Sequence, residues 1–194
     1  MIMMVERDKK RELRAKLLEK LLFLTQEEIK RRSGHVEKIL SRLPIYKNAK
    51  IILAYYPLKG EVNVLEMIRK ALGVKRVCFP VMDLKKKDLR VFEVSNLDED
   101  FVPGPYRVMQ PDIKRTKELA SSDIDMVIVP GLAFDLHRNR LGRGAGFYDR
   151  FIKRLNSSTK TVGVAFNFQI LENLPVHPSY DEKVDIVVSE KSVV

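Results

Sequence analysis

Leucines at positions 13, 17, 18, 21 and 22 recur at helical spacing with lysines and glutamates between them, so an amphipathic helix is predicted over residues 7–24. Thr25-Gln26-Glu27-Glu28 has the form of a capping box and opens a second helix toward Leu43, where Pro44 is expected to stop it. Gly34 lies inside that second pattern and weakens it. From residue 50 the texture changes to short β-type runs: Ile51 to Tyr55, Val74 to Phe79, Leu89 to Val94, Met126 to Val129, Thr161 to Ala165 and Val184 to Val188. Several are continuously apolar, as strands covered on both faces are. Helical spacing returns in Val62 to Leu72, closed by Gly73, and helices are predicted again at Phe147 to Leu155 and Phe168 to Leu174. Strands alternating with helices imply right-handed βαβ units. The predicted fold is therefore a three-layer α/β domain, a mainly parallel sheet flanked by helices, with an N-terminal helical extension. One domain covers 1–194, with the helices of 1–48 packed on it. Ser95 to Ser122, with Pro103-Gly104-Pro105 and Pro111, is expected to be an irregular surface loop that either covers a site or merely connects.

Composition narrows the classes. With 45% of 194 residues hydrophobic, the chain can bury a core without disulfides or metal. Its single cysteine, Cys78, excludes a disulfide framework and a multi-cysteine zinc site, and within Val77-Cys78-Phe79 it reads as an inert buried thiol. No apolar run approaches the ~18 residues that cross a bilayer, and the charged N-terminus lacks a signal-type apolar core, so a cytoplasmic protein with no membrane partner is expected. The net charge of +10 favours anionic partners, and residues 1–50 hold most of it, with 14 Lys+Arg against 7 Asp+Glu. An aromatic and basic stacking motif of the kind that reads single strands is absent, so nucleic acid is not the expected partner.

The densest chemical signal follows the strand ending at Val129. Pro130-Gly131-Leu132-Ala133-Phe134-Asp135 leads into Asn139-Arg140-Leu141-Gly142-Arg143-Gly144-Ala145-Gly146-Phe147-Tyr148-Asp149-Arg150. Glycines at alternate positions let backbone N–H groups converge on an anion, and Arg140 and Arg143 add positive charge beside them. The spacing is neither a Walker A loop nor the Rossmann fingerprint. Asp149 offers an oxygen ligand for Mg²⁺ next to bound phosphates, or a helix-start acid facing the dipole. In the first helix Lys10 and Arg14 fall about 40° apart on the same sector as Leu17 and Leu21, taking about 100° per residue. They either snorkel at the end of the apolar stripe or point at a buried anion. Tyr55-Tyr56-Pro57-Leu58-Lys59-Gly60-Glu61 follows the first strand, where α/β folds bind ligands, and suits a flat heterocycle with N–H donors. His177 and Asp181 precede the last strand, and Asp185 lies within it. Neither His35 nor His137 makes a zinc spacing with His177.

Taken together, Lys10-Arg11-Glu12-Leu13-Arg14, Glu61 and the long glycine and arginine segment resemble the 5-formyltetrahydrofolate cyclo-ligase family, over essentially the whole chain. The resemblance implies ATP- and Mg²⁺-dependent cyclisation of 5-formyltetrahydrofolate to 5,10-methenyltetrahydrofolate, through a phosphorylated formyl oxygen, by a monomer. It implies ATP contacts from Lys10, Arg14 and the segment Arg140, Leu141, Gly142, Arg143, Gly144, Ala145, Gly146, Phe147 and Tyr148, with Arg143 as the catalytic cation. Glu61 and Tyr56 are expected to hold the folate, and Asp149 to bind Mg²⁺ with Asp185 or Asp181 as a second ligand. Ala145 stands where the family often has Gly or Lys, Phe147 where Tyr is frequent, and Arg138 where Gly is common. Two other readings are a nucleic-acid-binding module, which fits the charge and the basic first helix, and an enzyme that keeps the α/β phosphate site and acts on a sugar phosphate.

Overall fold

The chain is described by a computed structural model that covers residues 2–177 and 180–194. Helix α1 spans Ile2–Leu22 and buries Leu17 and Leu21. The predicted capping box is present: the Thr25 hydroxyl accepts from the Glu28 N–H at 3.1 Å, the Glu28 carboxylate accepts from the Thr25 N–H at 3.1 Å, and helix α2 follows as Gln26–Leu40. Pro44 does not simply stop a helix. It opens another, α3, Pro44–Asn48, because a first-turn position needs no backbone N–H.

The strands and helices beyond are β1 (Ile51–Leu53), α4 (Leu65–Ala71), β2 (Arg76–Asp83), β3 (Asp88–Val94), β4 (Phe101–Pro103), β5 (Met109–Pro111), β6 (Lys117–Leu119), β7 (Met126–Pro130), β8 (Ala133–Asp135), β9 (Arg140–Leu141), α5 (Phe147–Lys153), β10 (Lys160–Val164), β11 (Ile170–Leu171) and β12 (Ile186–Val188). The main sheet has the order β12-β10-β7-β1-β2-β3-β6. Its first five strands are parallel. β3 and β6 are antiparallel additions at one edge, stapled by the cross-strand pairs Arg76–Glu93 and Arg90–Glu118. The mainly parallel, helix-flanked expectation therefore holds, with β3 returning as a hairpin.

Period-two alternation distributes the strand residues between two cores. Ile52, Ala54, Val77, Phe79, Met126 and Ile128 face the side covered by α1, α2 and α4. Leu53, Cys78, Val127 and Val129 face the side covered by Phe151 of α5. Burial pushes the Cys78 thiol up to about 12, so it is an inert thiol as expected.

Two expectations fail locally. Ser95 to Ser122 is not an irregular loop: it contains the β4–β5 hairpin and β6. Phe168 to Leu174 is not a helix. A 3₁₀ turn at Asn167–Gln169 leads into β11, held by Gln169, whose buried amide oxygen accepts from the Phe166 N–H at 2.7 Å while its amide nitrogen donates to the carbonyls of Gly131 and Leu132.

Gly34 sits exposed within α2, and a Cβ built there meets nothing within 4 Å. Gly34→Ala is expected to raise stability by about 0.5–1 kcal/mol, because it removes unfolded-state freedom at no steric cost. Denaturant midpoints of the two proteins check this, and an unchanged or lowered midpoint contradicts it.

Candidate functional site

Chain order reverses around β1: the next strand of the parallel sheet, β2, lies on one side of it and β7 on the other. Beyond the carboxyl ends of two such strands the connections part and leave a crevice, the usual ligand position in open α/β sheets. Here the crevice is a cavity of about 410 Å³. Tyr55, Tyr56, Leu58 and Glu61 enter it from the segment after β1, and Pro130 and Gly131 from the end of β7. Arg140, Gly142, Arg143, Ala145, Gly146, Phe147 and Tyr148 form a further wall, and Tyr106 and Gln110 of the β4–β5 hairpin close the rim.

The glycine segment is aimed by a buried acid. Asp135, at the end of β8, is 1% exposed and accepts from the N–H groups of His137, Asn139 and Leu174 and from the Asn139 amide, all at 2.8–3.0 Å. That fixes the β8–β9 turn, from which Arg140 returns toward the cavity. Arg140 is itself buried, donates to the Pro130 carbonyl at 3.2 Å and to Asp149 Oδ1 at 2.8 Å, and lies 5.6 Å from the Tyr148 ring centroid. Its Nε is buried with no hydrogen-bond partner among the described residues. Burial pushes the Tyr148 phenol well above its usual pKa, with Glu61 adding to this and Arg140 opposing, so it stays a neutral donor.

Past Leu141 the backbone runs free. The N–H groups of Arg143, Gly144, Ala145 and Gly146 donate no hydrogen bond among the described residues. Gly144 has φ +109, a conformation that side chains resist. Behind this loop lies α1, where Arg14 Nε donates to the Gly142 carbonyl at 2.9 Å. Burial lowers the pKa of the Arg14 guanidinium, Asp181 and Asp149 pull it back up, and Arg140 lowers it further; at neutral pH it remains a cation. Lys10, one turn earlier, pairs with Asp181 and, at 3.2 Å, with Glu6. Asp181 also accepts from the His177 N–H at 2.6 Å. Arg143 turns to the opposite wall instead, with Nε at 3.0 Å and Nη2 at 2.9 Å from Glu61 Oε1.

The 5-formyltetrahydrofolate cyclo-ligase family model matches residues 6–190. The chain belongs to this family. It is 31% identical over 193 residues to the 5-formyltetrahydrofolate cyclo-ligase of Mus musculus, covering 94% of each chain, and 27% identical over 172 residues to that of Escherichia coli K12, covering 88% of this chain and 94% of the relative. Among solved structures, the 5,10-methenyltetrahydrofolate synthetase of Aquifex aeolicus superposes with a TM-score of 0.83 at 36% identity, covering 95% of this chain and 91% of that one. The chain is therefore an enzyme of the ligase class in folate one-carbon metabolism.

Of the anticipated site residues, Tyr56, Glu61, Arg140, Gly142, Arg143 and the run from Ala145 to Tyr148 line the cavity, Arg14 and Asp149 are bonded to that lining, and Lys10 is paired with Asp181. Leu141 is buried at 2% exposure and acts through its backbone, its carbonyl accepting from the Leu132 N–H at 2.8 Å. Asp185 lies at the start of β12, the end of the parallel sheet opposite the cavity, where its Oδ2 accepts from the Thr161 N–H and hydroxyl at 2.7 and 2.9 Å. It shares a separate hollow with Asp125 and Lys160, so pairing Asp185 with Asp149 around one ion is corrected; Asp181 is the second acid on the cavity side. Arg138 takes φ +65, a left-handed turn that glycine would adopt freely, so the turn carries a strain cost. Tyr106 and Gln110 were not anticipated by position, since nothing in their own residue types marks them.

Helix α1 crosses the segment before Glu61 at Gly60, which has φ +85, and a Cβ there falls 2.9 Å from both the Cβ and the carbonyl oxygen of Leu21. Gly60→Ala is expected to cost roughly 2–4 kcal/mol, from left-handed strain plus overpacking, and to loosen α1 specifically. Hydrogen exchange of the α1 amides checks this; wild-type protection with wild-type stability contradicts it.

Proposed function

We propose that this chain converts 5-formyltetrahydrofolate to 5,10-methenyltetrahydrofolate with ATP and Mg²⁺, releasing ADP and phosphate. The observation that carries the reading is that one cavity has an acid, Glu61, on one wall and, on the other, Arg140, Arg143 and a glycine segment whose 143–146 N–H groups donate no hydrogen bond among the described residues, with Arg14 bonded to that segment at Gly142. The acid suits the N–H edge of a pterin. The amides and arginines suit a triphosphate. Tyr55 and Tyr56 supply flat apolar surface between them.

The chemistry needs both walls. The N5 formyl group is an amide, and its oxygen leaves poorly. Attack of that oxygen on the γ-phosphorus of ATP expels ADP and places a phosphoryl group on the formyl oxygen. The N10 lone pair then forms a bond to the formyl carbon, the C–O bond breaks with its electrons going to phosphate, and N10 loses its proton to water. Arg143 and the 143–146 amides lie where they can stabilise charge on the transferred phosphoryl oxygens, with Arg140 and Arg14 behind them. Lys10 extends the cationic track along α1.

The residues present fit Mg²⁺ in one particular way. Asp149 offers Oδ2, which accepts no hydrogen bond among the described residues, while Oδ1 is held by Arg140. No group of three His, Cys, Asp or Glu converges among the described residues, so the other oxygen ligands would have to come from substrate phosphates and water, as is common for this ion. Held by Asp149, Mg²⁺ would supply positive charge that offsets the charge of the nucleotide phosphates.

Appearance of the methenyl chromophore is expected only when protein, 5-formyltetrahydrofolate, ATP and Mg²⁺ are all present. Its absence with folded protein overturns the reading. Arg143→Ala is expected to lower kcat by roughly 10²–10³-fold while leaving the unfolding midpoint near wild type, since the lost group acts on developing charge. Near-normal turnover removes Arg143 from the site. Asp149→Asn is expected to raise the Mg²⁺ concentration at half-maximal rate, and an unchanged requirement excludes Asp149 as a ligand.

A further inference from the structure

Glu61 and Arg143 belong to different substrates in the proposed reaction, yet in this structure they are bonded to each other. An ionised carboxylate has about four acceptor positions, two on each oxygen. Arg143 covers Glu61 Oε1: its Nε donates a hydrogen bond at 3.0 Å and its Nη2 stands 2.9 Å away as an ionic contact. The Leu58 N–H takes one position on Oε2 at 2.9 Å. A heterocycle presenting two adjacent N–H donors needs one acceptor on each oxygen, so it fits only if the guanidinium moves off Oε1.

The surroundings permit that exchange in one direction. The Glu61 side chain is 9% exposed and anchored by Leu58, so it stays put. Arg143 is 38% exposed and sits in the glycine segment beside the unspent amides. A guanidinium released from Glu61 has the phosphate-side wall as its nearest anion-binding surface.

We infer that the Glu61–Arg143 ion pair is a partner-exchange link between the two subsites: the folate takes Glu61 and so frees Arg143 for the nucleotide phosphates. Each substrate therefore tightens the other, and Arg143 reaches the phosphates fully only when an acceptor for the phosphoryl group is present. Glu61 acts as a positioning residue for Arg143 in addition to contacting folate. The inference rests on the proposed reading of the cavity.

The test is calorimetric binding of the non-hydrolysable β,γ-imido analogue of ATP, with Mg²⁺, to the full chain with and without saturating 5-formyltetrahydrofolate. In wild type, folate is expected to tighten the analogue at least about fivefold, the lower end of usual couplings, and the analogue to tighten folate by the same factor. Glu61→Gln, in the absence of folate, is expected to bind the analogue more tightly than wild type, because a neutral amide holds Arg143 less strongly. Arg143→Ala is expected to bind folate at least as well as wild type and to lose the mutual tightening; it keeps the test decisive if Glu61→Gln folds poorly. Independent binding of the two ligands to wild type, or an analogue affinity that Glu61→Gln leaves unchanged or weakens, overturns the exchange while leaving the proposed reaction standing. Failure of wild type to bind either ligand overturns both.

Discussion

Leu21 of α1 approaches the turn before Glu61 so closely that no side chain fits at Gly60, and this contact sets the geometry of everything around the cavity. The helix is held there by burial of Leu17 and Leu21 against the sheet, worth about 1.5–3 kcal/mol for each side chain. Seating the helix places Arg14 against the Gly142 carbonyl, so α1 braces the glycine segment from behind. The same contact fixes Gly60, and hence Glu61, relative to that segment. Apolar packing at one end of the helix thus positions charge on both walls of the site.

Charge in the crevice is neutralised internally. Arg140 pairs with Asp149, Arg143 with Glu61 and Lys10 with Asp181. A buried cation without a partner costs several kcal/mol, so these carboxylates stabilise the fold with its cations gathered at the crevice. The free backbone N–H groups of 143–146 add anion affinity without adding a formal charge. Elsewhere the excess of basic residues plays a smaller part. Pairs such as Arg69–Asp98 and Arg115–Glu99 are exposed, and exposed pairs contribute little, roughly 0–1 kcal/mol each.

How far the sequence could be read depended on the range of the interactions involved. The capping box at Thr25 and the apolar strands announce themselves through neighbours a few residues away, and the glycine and arginine segment carries its chemistry within ten positions. Asp185 was misassigned because its proximity in sequence to Asp181 conceals the direction of β12: a parallel strand puts its first residue at the end of the sheet away from the crevice. Phe168 to Leu174 has helical spacing, but the Gln169 side chain spends its hydrogen bonds on Gly131 and Leu132, contacts that only the tertiary fold creates. The β4–β5 hairpin was hidden by strands of three residues each, too short for any periodicity to register. Pro44 carries the same local chemistry whether it ends one helix or begins the next.

The central claim is that the α1-braced glycine segment and Glu61 are two subsites of one reaction cavity. A crystal structure of the chain with 5-formyltetrahydrofolate and the β,γ-imido analogue of ATP tests it most directly. The account predicts the pterin N–H edge on Glu61 and the γ-phosphate within hydrogen-bond distance of Arg143 and the 143–146 amides, with the formyl oxygen facing the γ-phosphorus. Phosphates bound elsewhere, or a pterin that leaves Glu61 uncontacted, would contradict it.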